Sequence, residues 1–154
     1  MVELPYVDEH TVTIEAGADV VWGVLTERID AAFSHGPVAT FAGVVGCESR
    51  VASGPRPLTE GSTIPGFRVV AAVPTRELVL HGRHRFSEYQ LSFHLAPVGS
   101  HRTRLSAETR AAFLGRAGRV YRLLVIGTGG HVVAIRKLFS DVKGRSEPLP
   151  SSSR

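Results

Sequence analysis

The chain has 154 residues, 43% hydrophobic and 21% charged, which is ordinary for a single soluble globular domain. Its formal net charge of +4 permits contact with nucleic acid or an anionic membrane, but the arginines are spread along the chain with no basic block interleaved with aromatics, so nucleic-acid binding is not favoured. Cys47 is the only cysteine, which excludes an intramolecular disulfide and fits a reducing cytosol; no apolar run follows a basic start as in a secretory signal, and no stretch approaches the roughly 18 apolar residues of a membrane span.

In chain order, residues 9–15 alternate, with His10, Val12 and Ile14 on one face and Thr11, Thr13 and Glu15 on the other, the pattern of a half-buried strand. Gly17 breaks it. Residues 18–33 predict a helix with Val21, Trp22, Leu25 and Ile29 on one face and Asp19 in its first turn. Residues 35–64 are punctuated by glycines and prolines, with short strands expected near 38–45 and 47–52. A turn at Pro65-Gly66 leads to a strand over 67–73. Pro74-Thr75 marks a break, and 77–86 predict another strand. Residues 89–95 alternate most clearly, with Tyr89, Leu91, Phe93 and Leu95 facing one way. A turn at Ser87-Glu88 would pair Phe86 with Tyr89, His84 with Leu91 and Gly82 with Phe93.

After a turn at 97–102, Thr103, Leu105, Ala107, Thr109, Ala111 and Phe113 alternate with Arg104, Ser106, Glu108 and Arg110. A long helix is expected over 115–143, interrupted by Gly127-Thr128-Gly129-Gly130-His131. Interior helix glycines cost about 1 kcal/mol each relative to alanine, so this cluster calls for close packing, a kink or space for a ligand. One domain over 1–143 and a disordered tail over 144–154 complete the reading. Short connections imply antiparallel neighbours, and only the last helix is long enough to cover the apolar face of the sheet. The expected class is α+β.

The opening Val12-Thr13-Ile14-Glu15-Ala16-Gly17-Ala18-Asp19-Val20-Val21-Trp22-Gly23-Val24-Leu25 resembles the first strand and helix of the START-like, or SRPBCC, superfamily. That group includes polyketide cyclases, lipid-transfer domains and birch-pollen-type allergens. The order of elements matches to about Val142. The resemblance implies a helix-grip fold: a curved antiparallel sheet wrapped around a long C-terminal helix, with a hydrophobic cavity between them. It fixes no function, because the superfamily holds binders and enzymes alike.

Candidate ligand-binding residues follow from which side chains face that cavity. On the last helix, Ala117, Tyr121, Leu124, Thr128, His131, Ile135, Leu138 and Val142 share one face. Thr128 and His131 are polar there, and satisfaction by backbone or water competes with ligand contact as their role. His84 joins them by the hairpin register. Trp22, Phe67, Phe86, Tyr89, Leu91 and Phe93 complete the set, though aromatics on such a face are commonly core. No metal site emerges: His81 and His84 are three apart on a strand and point to opposite faces. No nucleotide loop or nucleophilic triad is present, and no cofactor is expected. Catalytic residues stay unassigned, since the inner face offers no carboxylate to a histidine.

Three functions remain. The first is binding, or transport, of a small hydrophobic molecule such as a lipid or polyketide-like aromatic by a cytoplasmic protein. The second is a cyclase or dehydratase using His84 or His131 as acid/base. The third is an interaction module with a collapsed cavity. The helix's outer face (Arg116, Arg119, Arg122, Arg136 and Lys137) is solvated or touches an anionic membrane surface without inserting.

Overall fold

The structure is a computed structural model and describes residues 4–34, 53–83, 87–113, 115–116, 119 and 130–148. Its elements are β1 (Tyr6–Ile14), α1 (Ala18–Ser34), β2 (Thr63–Ile64), β3 (Phe67–Val73), β4 (Glu77–Arg83), β5 (Ser87–Pro97), β6 (Thr103–Phe113) and α2 (Gly130–Ser146). The strands form one antiparallel sheet in the order β1-β6-β5-β4-β3-β2. The α+β class and the antiparallel sheet expected from the sequence are those observed.

Alternation decides the two faces. Residues paired across strands share a face. Leu78, Phe93, Ala107 and His10 form one inner row, and Leu80, Leu91, Thr109 and Asp8 the next. On the outer face, Arg68, His81, Gln90 and Arg110 line up in the same way. The β2–β3 turn is Pro65-Gly66, and Gly66 has φ +92°, a conformation side chains resist.

The helices cover the inner face. Val21, Leu25 and Ile29 of α1 are fully buried, each contributing about 1.5–3 kcal/mol of apolar burial. Ile135, Leu138, Phe139 and Val142 of α2 pack into the same core with Ile14, Leu78, Leu80, Phe93, Leu95 and Leu105. Arg136 and Lys137 point to solvent. Thr103 Oγ1 donates to the Ala16 carbonyl at 2.8 Å, tying β6 to the β1–α1 turn.

The end of α2 is fastened to β1. Lys143 Nζ donates to the Thr13 carbonyl at 3.2 Å, and the Glu15 amide donates to Glu147 at 3.1 Å. Lys143 and Glu147 are 2.9 Å apart, one turn along. The lysine's hydrogen bond, with the Glu15 amide, holds the Glu147 carboxyl below its ordinary range. Arg56 secures the loop before β2: it meets Asp30 of α1 at 2.9 Å and donates to the carbonyls of Ser53, Gly54, Pro55 and Thr63.

Three expectations change. Ser87 and Glu88 are not a turn; they lie in β5, paired with Phe113 and Ala112. Tyr89 therefore pairs with Gly82, Leu91 with Leu80 and Phe93 with Leu78, a shift that preserves the inner and outer faces. A Ser-Glu dipeptide lacks the positive-φ preference of a two-residue hairpin turn, which accounts for the displaced register. Second, β1 begins at Tyr6, earlier than expected. Third, α2 continues past the expected helix end at 143, through Gly144 and Arg145 to Ser146, which is buried. The strands expected near 38–45 and 47–52 and the glycines at 127 and 129 lie outside the described residues.

Candidate functional site on the inner face of the sheet

Burial is uneven along the inner face. Ile14, Leu105 and Leu78 are fully buried under the helices, with Val12 partly buried beside them. Toward the opposite end, Asp8, His10, Tyr89, Thr109 and Phe113 are only half-buried. The core is thus filled at one end and more accessible at the other.

An aromatic corner occupies part of that accessible end. Tyr89 of β5 lies across Gly82 of β4, its directly paired neighbour. A Cβ at Gly82 would sit 2.2 Å from the Tyr89 ring and 2.2 Å from the Gly66 carbonyl oxygen, so only glycine fits. The Tyr89 hydroxyl donates to that same carbonyl at 2.7 Å. Phe67 meets the ring edge-on, with centroids 5.1 Å apart and planes at 75°. Hydroxyl, ring and facing glycine fix one orientation for Tyr89.

A polar group occupies the β1–β6 side. His10 Nε2 lies 3.2 Å from Asp8 Oδ2. Asp8 pairs with Thr109, and His10 with Ala107. Thr109 Oγ1 is buried and makes no hydrogen bond. A buried hydroxyl without a partner is uncommon and costly, about 1–3 kcal/mol, and is an expected feature where a ligand or water completes the site. The absence of an inner-face carboxylate, expected from the sequence, is corrected here: Asp8 supplies one, two residues before His10 on the same strand face. The signal was present as Asp8-Glu9-His10-Thr11-Val12, but a strand started at 9 leaves the aspartate out. A bulge between Tyr6 and Asp8 also breaks the alternation upstream.

The sequence-derived candidates divide as follows. Phe67 and Tyr89 come together as described. Leu91 and Phe93 are buried in the sheet core, beside Leu80 and Leu78, and Trp22 packs half-buried against the same cluster from α1. His84, Phe86, Tyr121, Leu124 and Thr128 lie outside the described residues, as does the His131 side chain. Glu108 faces outward, as expected, and ion-pairs with Arg110. Among the described residues no group of three or more His, Cys, Asp or Glu is arranged to hold a metal ion.

This architecture is shared with solved structures. The aromatase/cyclase Zhui from Streptomyces sp. R1128 superposes with a TM-score of 0.56 at 15% identity, over 93% of this chain and 94% of that one. CalU16 from Micromonospora echinospora gives 0.55 at 15%, over 92% and 76%. The chain has the helix-grip fold of these structures. Truncated norcoclaurine synthase from Thalictrum flavum is also similar, with a TM-score of 0.53 at 13% identity over 92% and 97%. At these identities the likeness concerns the helix-grip fold alone. No family model matches the chain, and no curated protein matches it by sequence. Among the described residues no helix is long and apolar enough to cross a membrane.

Proposed function

We propose that the protein binds a small, largely apolar molecule between the curved sheet and the helices, and that the molecule's polar end docks on Thr109 beside the Asp8–His10 pair. The observation that carries this reading is the buried Thr109 hydroxyl without a partner, on the inner face of the sheet. Apolar burial supplies the affinity, and the few polar groups set orientation. The edge-to-face Phe67–Tyr89 pair favours an aromatic ligand over a flexible acyl chain, since a planar ring can stack against a fixed ring at little entropic cost. The similar structures include an aromatase/cyclase and a norcoclaurine synthase, in keeping with a hydroxylated or carbonyl-bearing aromatic as the ligand class. The single cysteine suits a cytosolic setting.

The test is displacement of Nile red, a neutral apolar dye, by a panel of hydroxylated polycyclic aromatics. Displacement at micromolar concentrations is expected for the native protein. Thr109→Val is expected to weaken phenolic ligands about threefold to tenfold while leaving Nile red unchanged, the cost of one hydrogen bond. A protein that takes up neither dye nor aromatic overturns the reading.

The Asp8–His10 contact favours one second reading, a cyclase- or dehydratase-type enzyme. A histidine oriented by a carboxylate is the usual arrangement for moving a proton. In that case His10→Gln keeps ligand binding and abolishes turnover. Such a variant with full turnover would exclude His10 as the acid/base. The interaction-module reading has less support: among the described residues the exposed large apolar side chains, Tyr6, Val20, Val70, Val73 and Val133, are dispersed over four elements.

A further inference from the structure

The outer face of the sheet carries a concavity away from the inner-face residues described above. A groove of about 850 Å³ is lined by Glu60, Gly61, Thr63, Arg68, Val69, Val70, His81, Gly82 and Arg83. That volume falls in the range that holds a small organic molecule. Its floor is formed by β3 and β4, where Arg68, Val70, His81 and Arg83 line it. One wall is the loop that ends at Gly61, whose amide donates to the Val69 carbonyl at 2.9 Å. The β3 bulge between Val69 and Ala71 lies beside it and twists the strand locally.

The charges in this groove are arranged unusually. Arg68 pairs across strands with His81, and Arg83 lies two residues along from His81 on the same face. Arg68 and Arg83 are thus diagonal neighbours, about 7–8 Å apart at Cα. Arg110, on the same sheet face, is held by Glu108. By contrast, among the described residues neither the Arg68 nor the Arg83 side chain has a hydrogen-bond or ion-pair partner, although two other carboxylates are near. Glu88, opposite Arg83 in the register, is instead taken by His81 at 2.9 Å. Glu60 lines the groove without engaging either guanidinium. Two like charges side by side repel, and a carboxylate that could relieve them is directed to a histidine.

We propose that this groove binds the phosphate group of a phosphorylated small molecule, with Arg68 and Arg83 clamping the oxygens and the remaining volume taking the organic part. A phosphate monoester carries close to two negative charges at neutral pH and matches two guanidinium forks, whereas a carboxylate satisfies only one. The Glu60 carboxylate repels any bound anion and lowers affinity, while the two guanidiniums attract a doubly charged group more strongly than a singly charged one.

The proposal is tested on the full chain by ¹H–¹⁵N NMR titration with inorganic phosphate, pyrophosphate and acetate. Amide shifts confined to residues 60–70 and 80–83 are expected, saturating with pyrophosphate and phosphate and not with acetate. The double variant Arg68→Gln/Arg83→Gln is expected to lose at least tenfold in affinity. Arg104→Gln, an exposed arginine on β6, is expected to bind as the native protein does, and Glu60→Gln to bind severalfold more tightly. Equal loss in the Arg104 variant, equal binding of acetate, or no localised shifts would overturn the proposal. Co-sedimentation with phosphatidylglycerol vesicles separates the sources: dependence on Arg68 and Arg83 there, without binding of the free anions, also overturns it in favour of a membrane headgroup. The phosphate-dependent shifts of this groove do not report on the inner face, so their absence leaves the proposed apolar ligand untouched.

Discussion

Replacing Gly82 by alanine probes the aromatic corner most sharply. The new methyl would lie 2.2 Å from Tyr89 Cε2, 2.5 Å from Tyr89 Cζ and 2.2 Å from the Gly66 carbonyl oxygen. Carbon atoms prefer separations of about 3.5–4.0 Å, so the ring must move by more than about 1 Å and the Gly66 backbone must follow. Overpacking of this kind costs about 1–3 kcal/mol. Displacing the ring also forfeits its hydrogen bond to Gly66 and its contact with Phe67, each about 0.5–1.5 kcal/mol. Alanine returns about 0.5–1 kcal/mol through lower chain entropy in the unfolded state. The net expectation is a loss of about 3 kcal/mol, or roughly 6–12 °C in Tm for a domain of this size. Urea unfolding followed by the fluorescence of Trp22, the only tryptophan, measures it by linear extrapolation. In a Tyr89→Leu background the ring clash is gone and only the Gly66 contact remains, so the same substitution is expected to cost about 1–2 kcal/mol. A loss below about 0.5 kcal/mol, or the same loss in both backgrounds, would refute the packing of Tyr89 on Gly82.

Three other outcomes follow from the described contacts. Arg56→Ala is expected to destabilise by about 2 kcal/mol, because one guanidinium joins Asp30 to four loop carbonyls; Arg56→Lys should recover little of it, since an ammonium cannot reproduce the planar fork. Thr103→Val removes the hydrogen bond to the Ala16 carbonyl at nearly constant volume and is expected to cost about 1–2 kcal/mol by the same unfolding assay. The Glu147 carboxyl titrates below its ordinary value of 4.5 in the folded chain, so the unfolded chain takes up the proton first as pH falls. Its contribution is complete above the ordinary value and declines as pH falls toward and through the folded one. Glu147→Gln is expected to flatten stability between pH 5 and about 3 relative to the native protein, and an unchanged acid limb would contradict the lysine and amide contacts.

Much of the sheet could be read from the chain because its code is simple. Leu91, Phe93, Leu95, Leu105 and Ala107 alternate strictly with polar neighbours and are buried as alternation demands. The last helix declared its buried stripe through Ile135, Leu138 and Val142 for the same reason. Register was less legible. Faces depend only on residue parity, but which residues pair depends on where the loop falls, and residues 84–86 carry no strong turn signal. The site was read least completely. Thr109 was placed inward by its spacing, yet no sequence pattern reveals that its hydroxyl lacks a partner, because that is a property of what surrounds it in space. Asp8 needed only a strand extended by a few residues. The Gly82–Tyr89 pairing could not be found, since it links two strands whose relative register was displaced.

The central claim is that an apolar molecule with a polar end occupies the space between sheet and helices. Native mass spectrometry of the protein purified from its own host, with denaturing extraction of whatever is released, tests it most directly. The account expects a stoichiometric small-molecule adduct that is apolar with hydroxyl or carbonyl groups, held less well by Thr109→Val. Only the bare chain, in the native protein and the variant alike, would contradict it.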